Sequence, residues 1–219
     1  MGKTDLRLTV SGLFNLIFPP VCIHCEEETV NNKYPLCKNC VQLLELADPD
    51  ERCPICFQIL KTNHRCDLSI RKAAAFEALA PATTIFHYFQ KKHAPGFAPA
   101  MASFMVIQLI ELGWPLPETV IPLPCSFFQR IGREYEPNKL LAESVAMICG
   151  AEMLDCLKSG FDGGFHWKQE KTIADKHVVV VDDGSSGKKI FLRADQCLRE
   201  GFPKSLKYIS FVDFNFSLE

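Results

Sequence analysis

The stretch Val178-Val179-Val180-Val181-Asp182-Asp183-Gly184-Ser185-Ser186-Gly187-Lys188 decides how this chain folds. Four consecutive β-branched residues suit a strand buried on both faces, as in parallel sheets. Two acids end the strand, small residues form a loop, and residues 188–200 read as a helix carrying Ile190, Leu192, Ala194, Cys197 and Leu198. In open α/β sheets, ligands bind at the carboxyl ends of strands, where this loop would lie.

Working outward, residues 100–112 form an apolar helix candidate, with Pro99 suited to its start. Residues 119–123 are a short β-branched run between Pro117 and Pro124, and residues 138–149 place Leu141, Val145 and Ile148 at helical spacing. Residues 207–214 make a last strand. Alternating strands and helices imply a parallel sheet with crossover helices, so residues 71–219 read as one α/β domain.

Composition adds a second feature. The chain has 219 residues, 47% hydrophobic and 23% charged, with net charge −2. That excludes a wholly disordered chain and a protein that grips nucleic acid by bulk charge alone. No uninterrupted apolar run is long enough for a spanning helix, and no clean signal sequence opens the chain, so a cytoplasmic location is expected. Eleven cysteines are present, and seven of them lie between Cys22 and Cys66. They include three C-x-x-C knuckles: Cys22/Cys25, Cys37/Cys40 and Cys53/Cys56. A two-residue gap lets both thiolates reach one tetrahedral ion. Cys22, Cys25, Cys37 and Cys40 make one four-cysteine zinc site. Cys53 and Cys56 need two more ligands. Cys66 is one and His64 the best second candidate, with Asp67 as the alternative. One or two structural zinc ions are therefore expected within residues 1–70, where a small core leaves much of the folding free energy to the metal. The competing disulfide framework needs an oxidising compartment. Residues 4–18 read as an amphipathic packing helix stopped by Pro19-Pro20. Seven Lys/Arg against nine Asp/Glu over residues 1–70 make a poor DNA-gripping surface.

The loop of small residues has a chemistry of its own. Gly184, Ser185, Ser186, Gly187 and Lys188 would present backbone N–H groups and hydroxyls to a phosphate. Asp182 and Asp183 would accept hydrogen bonds from ribose hydroxyls. Together they suit phosphoribosyl pyrophosphate. An ordinary strand-to-helix turn with an Asp cap explains the same residues.

Phe18-Pro19-Pro20-Val21-Cys22, the knuckles after it, Val120-Ile121-Pro122-Leu123-Pro124, Arg133 with Tyr135, and the 178–187 motif occur in an order that resembles the ComF family of bacterial competence proteins. The resemblance implies an α/β, type I phosphoribosyltransferase-like domain behind a zinc-ribbon module. It implies that Asp182 and Asp183 bind ribose hydroxyls and that residues 184–188 bind the 5′-phosphate. Leu123, Pro124, Cys125 and Ser126, with Arg133, would handle pyrophosphate. It also implies a role in DNA uptake, with single-stranded DNA and DNA-uptake proteins as partners.

The chain departs from that family where the chemistry would occur. The phosphate loop is one residue short, and its last Thr position holds Lys188 or Lys189. Arg-Gly-aromatic-Asn-Gln becomes Arg133-Glu134-Tyr135-Glu136-Pro137, adding two carboxylates that repel an anion unless magnesium screens them. The basic segment before the strand shrinks to residues 156–176, flexible through Gly160, Gly163 and Gly164. No catalytic base stands out, since His87 and His166 are isolated. Lys91-Lys92-His93, beside Tyr88 and Phe89, reads as a solvated turn or a nucleic-acid contact. Three readings follow: a ComF-like competence protein with a degenerate transferase domain, a working phosphoribosyltransferase using magnesium, or a non-catalytic zinc-binding interaction protein.

Overall fold

A computed structural model describes residues 20–29, 35–60, 64–66, 70–91, 94–125, 135–160, 164–167 and 172–214. The expected helix over 4–18, together with Asp67, Lys92, His93, Ser126, Arg133 and Glu134, lies outside them. Packing divides the chain into two compact units, Met1–Glu45 and Leu46–Glu219. Sequence content instead suggests a division at residue 70. The second ribbon packs with the sheet.

Unit one holds the first ribbon and helix α1 (Lys38–Gln42), whose N-cap Cys37 accepts from the Cys40 N–H. Unit two repeats the knuckle turn bond for bond. Cys22 N–H donates to Glu27 O and Glu26 N–H to Cys22 O; Cys53 N–H donates to Gln58 O and Phe57 N–H to Cys53 O. Glu26 and Phe57 both sit at φ 62°, the left-handed turn that lets the chain reverse behind a knuckle. Isolated bridges Val21–Glu28 and Arg52–Ile59 close the two turns alike.

The second unit is an α/β layer structure. Its strands are β1 (Arg71–Glu77), β2 (Thr119–Pro122), β3 (Glu152–Met153), β4 (Leu157–Ser159), β5 (Phe165–Trp167), β6 (His177–Asp182) and β7 (Ser205–Asp213). Its helices are α2 (Ala82–Lys91), α3 (Ala98–Glu111), α4 (Pro137–Cys149) and α5 (Lys188–Arg199). Five strands form a sheet in the order β1-β7-β6-β2-β3, all pairs parallel. This is the α/β class and parallel sheet that the sequence implies. Val178 and Val180 join the core face with Phe191, Ala194 and Leu198 of α5. Val179 and Val181 point to the opposite face by the period of a strand and are equally buried. There α4 packs on β2 and β6, and α3 on β1 and β7.

Four elements add to the sequence reading. Residues 156–176 are not only a reduced flexible segment: they contain the antiparallel hairpin β4–β5, with Phe165 and Trp167 packed on the core. Strand β1 carried no signal in the apolar pattern, whereas helix α2 was missed although Ala82, Ile85, Phe86 and Phe89 recur at helical spacing. The outer edge of β1 is covered by the second ribbon segment: Ala47 N–H donates to Ala75 O, and Lys72 N–H to Ile55 O. A covered edge is closed to pairing with other chains. Arg52, nearly fully buried, ties the same segment to Glu77 of β1 and donates to Phe57 O at 3.3 Å.

Candidate functional site

The strand order reverses between β2 and β6. From β2 the chain proceeds outward to β3, and from β6 it proceeds the other way to β7. At such a switch point the loops diverge and leave a crevice at the carboxyl ends of the strands. The loop after β2 carries Leu123, Pro124 and Cys125, all buried, and the Leu123 N–H donates to Val181 O at 2.9 Å. In this protein the crevice is filled from within. Asn138, in the first turn of α4 behind Pro137, donates to Leu123 O at 2.7 Å and to Asp182 Oδ1 at 3.1 Å. Its Oδ1 accepts from the Asp183 N–H at 2.8 Å. One buried amide thus joins both loops.

The loop closes the rest. Asp182 Oδ2 accepts from the N–H groups of Gly184 at 2.8 Å and Ser186 at 3.4 Å, and its Oδ1 accepts from Ser186 Oγ at 2.6 Å. Asp183 Oδ1 accepts from Ser185 N–H at 2.8 Å, and its Oδ2 from the Gln90 side-chain amide of α2. Both carboxylates have no exposed surface. The amides expected to cradle phosphate are turned onto the acids expected to hold ribose. Asn138 and Gln90 were not legible as site residues, although a polar residue behind Pro at the head of an apolar helix is a weak sign for Asn138. Gly187 caps α5 without a side-chain bond, and the first turn carries Lys188 and Lys189 but no acid. Glu136 stands at the N-cap of α4.

Burial, then the neighbouring Asp182 charge, pushes the Asp183 carboxyl from 3.8 up to about 6. A carboxyl raised in the folded state favours folding at low pH. That contribution is lost as pH rises through the window from about 4 to about 6. Asp183→Asn removes the titration, and Gln90 can turn its carbonyl toward the new amide. The variant is expected to melt above the parent at pH 8, by roughly 1–3 kcal/mol of stability, with the advantage gone at pH 4. Thermal melts of both proteins across that range check it. A parent that is the more stable protein at pH 8 would show that Asp183 is not held against its charge.

Two metal centres are present in outline. Cys22, Cys25, Cys37 and Cys40 bring their ligand atoms within 4.8 Å of one another, and so do Cys53, Cys56, His64 and Cys66. Zinc–sulfur bonds of about 2.3 Å imply tetrahedral sulfur–sulfur edges of about 3.8 Å. Cys25 Sγ and Cys37 Sγ are 3.6 Å apart, and Cys56 Sγ and His64 Nε2 are 3.3 Å apart. None of these cysteines is in a disulfide. Burial pushes the Cys56 thiol up to about 12, whereas backbone N–H groups overcome burial and hold Cys53 down at about 6. Such crowded thiols share their volume as thiolates only around a cation. The donor sets therefore fit structural zinc, and the structure supports His64 as the fourth ligand of the second site.

Comparison with known proteins agrees on the metal. Residues 13–68 match the double zinc ribbon domain. No curated protein is similar enough to match. A purine phosphoribosyltransferase from Pyrococcus horikoshii Ot3 is similar at 16% identity and a TM-score of 0.36, over 64% of this chain and 87% of that chain. Similarity that low carries no inference about activity. Among the described residues, no helix is long and apolar enough to cross a membrane.

Proposed function

We propose that this chain is a ComF-like protein of DNA uptake whose phosphoribosyltransferase-like domain is degenerate, its ribose and phosphate subsites closed by the protein's own groups. The observation that carries the reading is the sealed acidic pair. Every carboxylate oxygen of Asp182 and Asp183 is engaged by the loop itself, by Asn138 or by Gln90. A ribose diol would have to displace these donors from the carboxylates before its own hydroxyls could reach them. The ordered resemblance of the knuckles, the 120–124 segment and the 178–187 motif supports the family reading. The double zinc ribbon over residues 13–68 is consistent with it. Single-stranded DNA and DNA-uptake proteins are the proposed partners, in the cytoplasm, and the near-neutral charge calls for a local patch rather than the overall field.

Calorimetric titration with phosphoribosyl pyrophosphate and magnesium tests the loss of reaction. The account expects no binding heat for the parent or for Asp182→Asn/Asp183→Asn. Binding by the parent that vanishes in the double variant would overturn the sealed pair and favour the working-transferase reading.

A further inference from the structure

We propose that the groove between β5 and the outer face of α5 is a binding site for single-stranded nucleic acid, with a base on Trp167 and a phosphate on Arg193. The inference rests on the DNA-handling reading above and places it on particular residues. An open cleft of about 640 Å³ runs between the two elements, lined by Phe165, His166, Trp167, Arg193, Gln196 and Glu200. None of these residues belongs to the sealed crevice.

The floor and wall have different chemistry. Phe165 and Trp167 alternate along β5, so both turn inward, pack on the core and remain only half-buried. They form a rigid aromatic platform, and every nucleobase has a face that stacks on one. His166 lies between them in sequence and is exposed. On α5, Lys189, Arg193, Gln196 and Glu200 recur at four, three and four residues, which puts them on one helix face. All four are exposed. The face runs from cations at the start of the helix, through an amide, to a carboxylate at its end. Cations beside the aromatic floor suit a phosphate backbone. Gln196 can donate and accept at a base edge, and Glu200 can accept from an exocyclic amine. Glu200 would repel a small polyanion lying along the whole groove, whereas a strand can lay its phosphates at the lysine end and a base at the carboxylate end.

The test uses the full chain with zinc bound, in a Trp114→Phe background, so that Trp167 is the sole indole. A labelled oligothymidylate of about 12 nucleotides, within the range such grooves cover, is titrated at several salt concentrations. Thymidine monophosphate is titrated in parallel. The parent should bind the strand at low salt and quench Trp167 emission. Trp167→Ala should weaken binding roughly tenfold or more, and Trp167→Phe should keep most of it. Arg193→Gln, a surface change, should weaken binding and lower the salt slope by about 0.7. If Trp167→Ala does not fold, Arg193→Gln and the emission signal still decide. Strand binding that is unquenched and unchanged in Arg193→Gln would overturn the groove while leaving the DNA reading standing. No strand binding by the parent at low salt would overturn both. Thymidine monophosphate binding as tightly as the oligomer would make the groove a mononucleotide pocket and overturn the strand proposal.

Discussion

Loss of the zinc held by Cys53, Cys56, His64 and Cys66 is expected to unfold the ribbon around it and to destabilise the sheet it covers. In Cys56→Ser the metal content should fall from two ions per chain to one, and the melting transition of Leu46–Glu219 should move down sharply. The reason lies in how the second ribbon is attached. Its segment supplies the only described backbone partners of the outer edge of β1, through Ala47 and Ile55. It also supplies Arg52, whose guanidinium meets Glu77 and Phe57 O, and Ala47 O, which accepts from the buried Gln108 amide at 2.7 Å. Without the metal, the knuckle at Cys53 and Cys56 loses its tie to His64 and Cys66, and Phe57 is left as the main large buried side chain of that segment. Structural zinc contributes roughly 10–16 kcal/mol to the folding of isolated zinc-finger peptides. The sheet unit has its own core, so only part of that figure should appear as lost stability. The Arg52–Glu77 pair has its guanidinium buried but its carboxylate about one third exposed, so its loss should cost less than the roughly 3–5 kcal/mol of a fully buried pair. Metal analysis with circular-dichroism melts reads both effects. A Cys56→Ser protein that loses one zinc yet melts with the parent would show that the ribbon only decorates the sheet.

Gly184→Ala should be the most damaging single change in the acidic loop. Gly184 has φ +113°, a region L-residues rarely adopt, and an added Cβ would lie 2.2 Å from the carbonyl oxygen of Val212. Val212 belongs to the central strand β7, buried along nearly its whole length, so its backbone cannot retreat. Strained backbone costs about 1–3 kcal/mol, and overpacking against a fixed backbone about 1–3 more. Any backbone shift that relieved the contact would also strain the bond from the residue-184 N–H to Asp182. A destabilisation of about 3 kcal/mol or more is expected in urea unfolding. Gly187→Ala, where a Cβ meets nothing within 4 Å, serves as the mild control. Equal stability of the two variants would mean that the loop does not rest on β7.

The knuckles were legible because their chemistry is written in spacing, and the buried strand β6 because four valines admit few other structures. Strands β2 and β7 and helices α3, α4 and α5 followed from periodicity, with ends shifted by a few residues. Strand β1 was not legible. Its Arg-Lys-Ala-Ala-Ala-Phe-Glu sequence lacks β-branched residues and alternation, and it becomes a strand because β7 and the ribbon segment take up its backbone. The hairpin β4–β5 escaped notice because strands of three residues leave no period to read. The candidate site was half legible. Asp182, Asp183 and the small-residue loop were evident, but whether the loop faces a ligand or its own carboxylates depends on Asn138 and Gln90. Those amides carry no charge, and they arrive from two separate helices. Sequence spacing names the acids. Tertiary packing decides what the acids hold.

Amide hydrogen exchange at Gly184, Ser185 and Ser186 tests the central claim most directly, because these three N–H groups are the seal on the acidic pair. The account predicts slow exchange at all three, unaltered by phosphoribosyl pyrophosphate with magnesium. Fast exchange in the free protein that slows when phosphoribosyl pyrophosphate is added would contradict it, and would return the loop to service as a phosphate cradle.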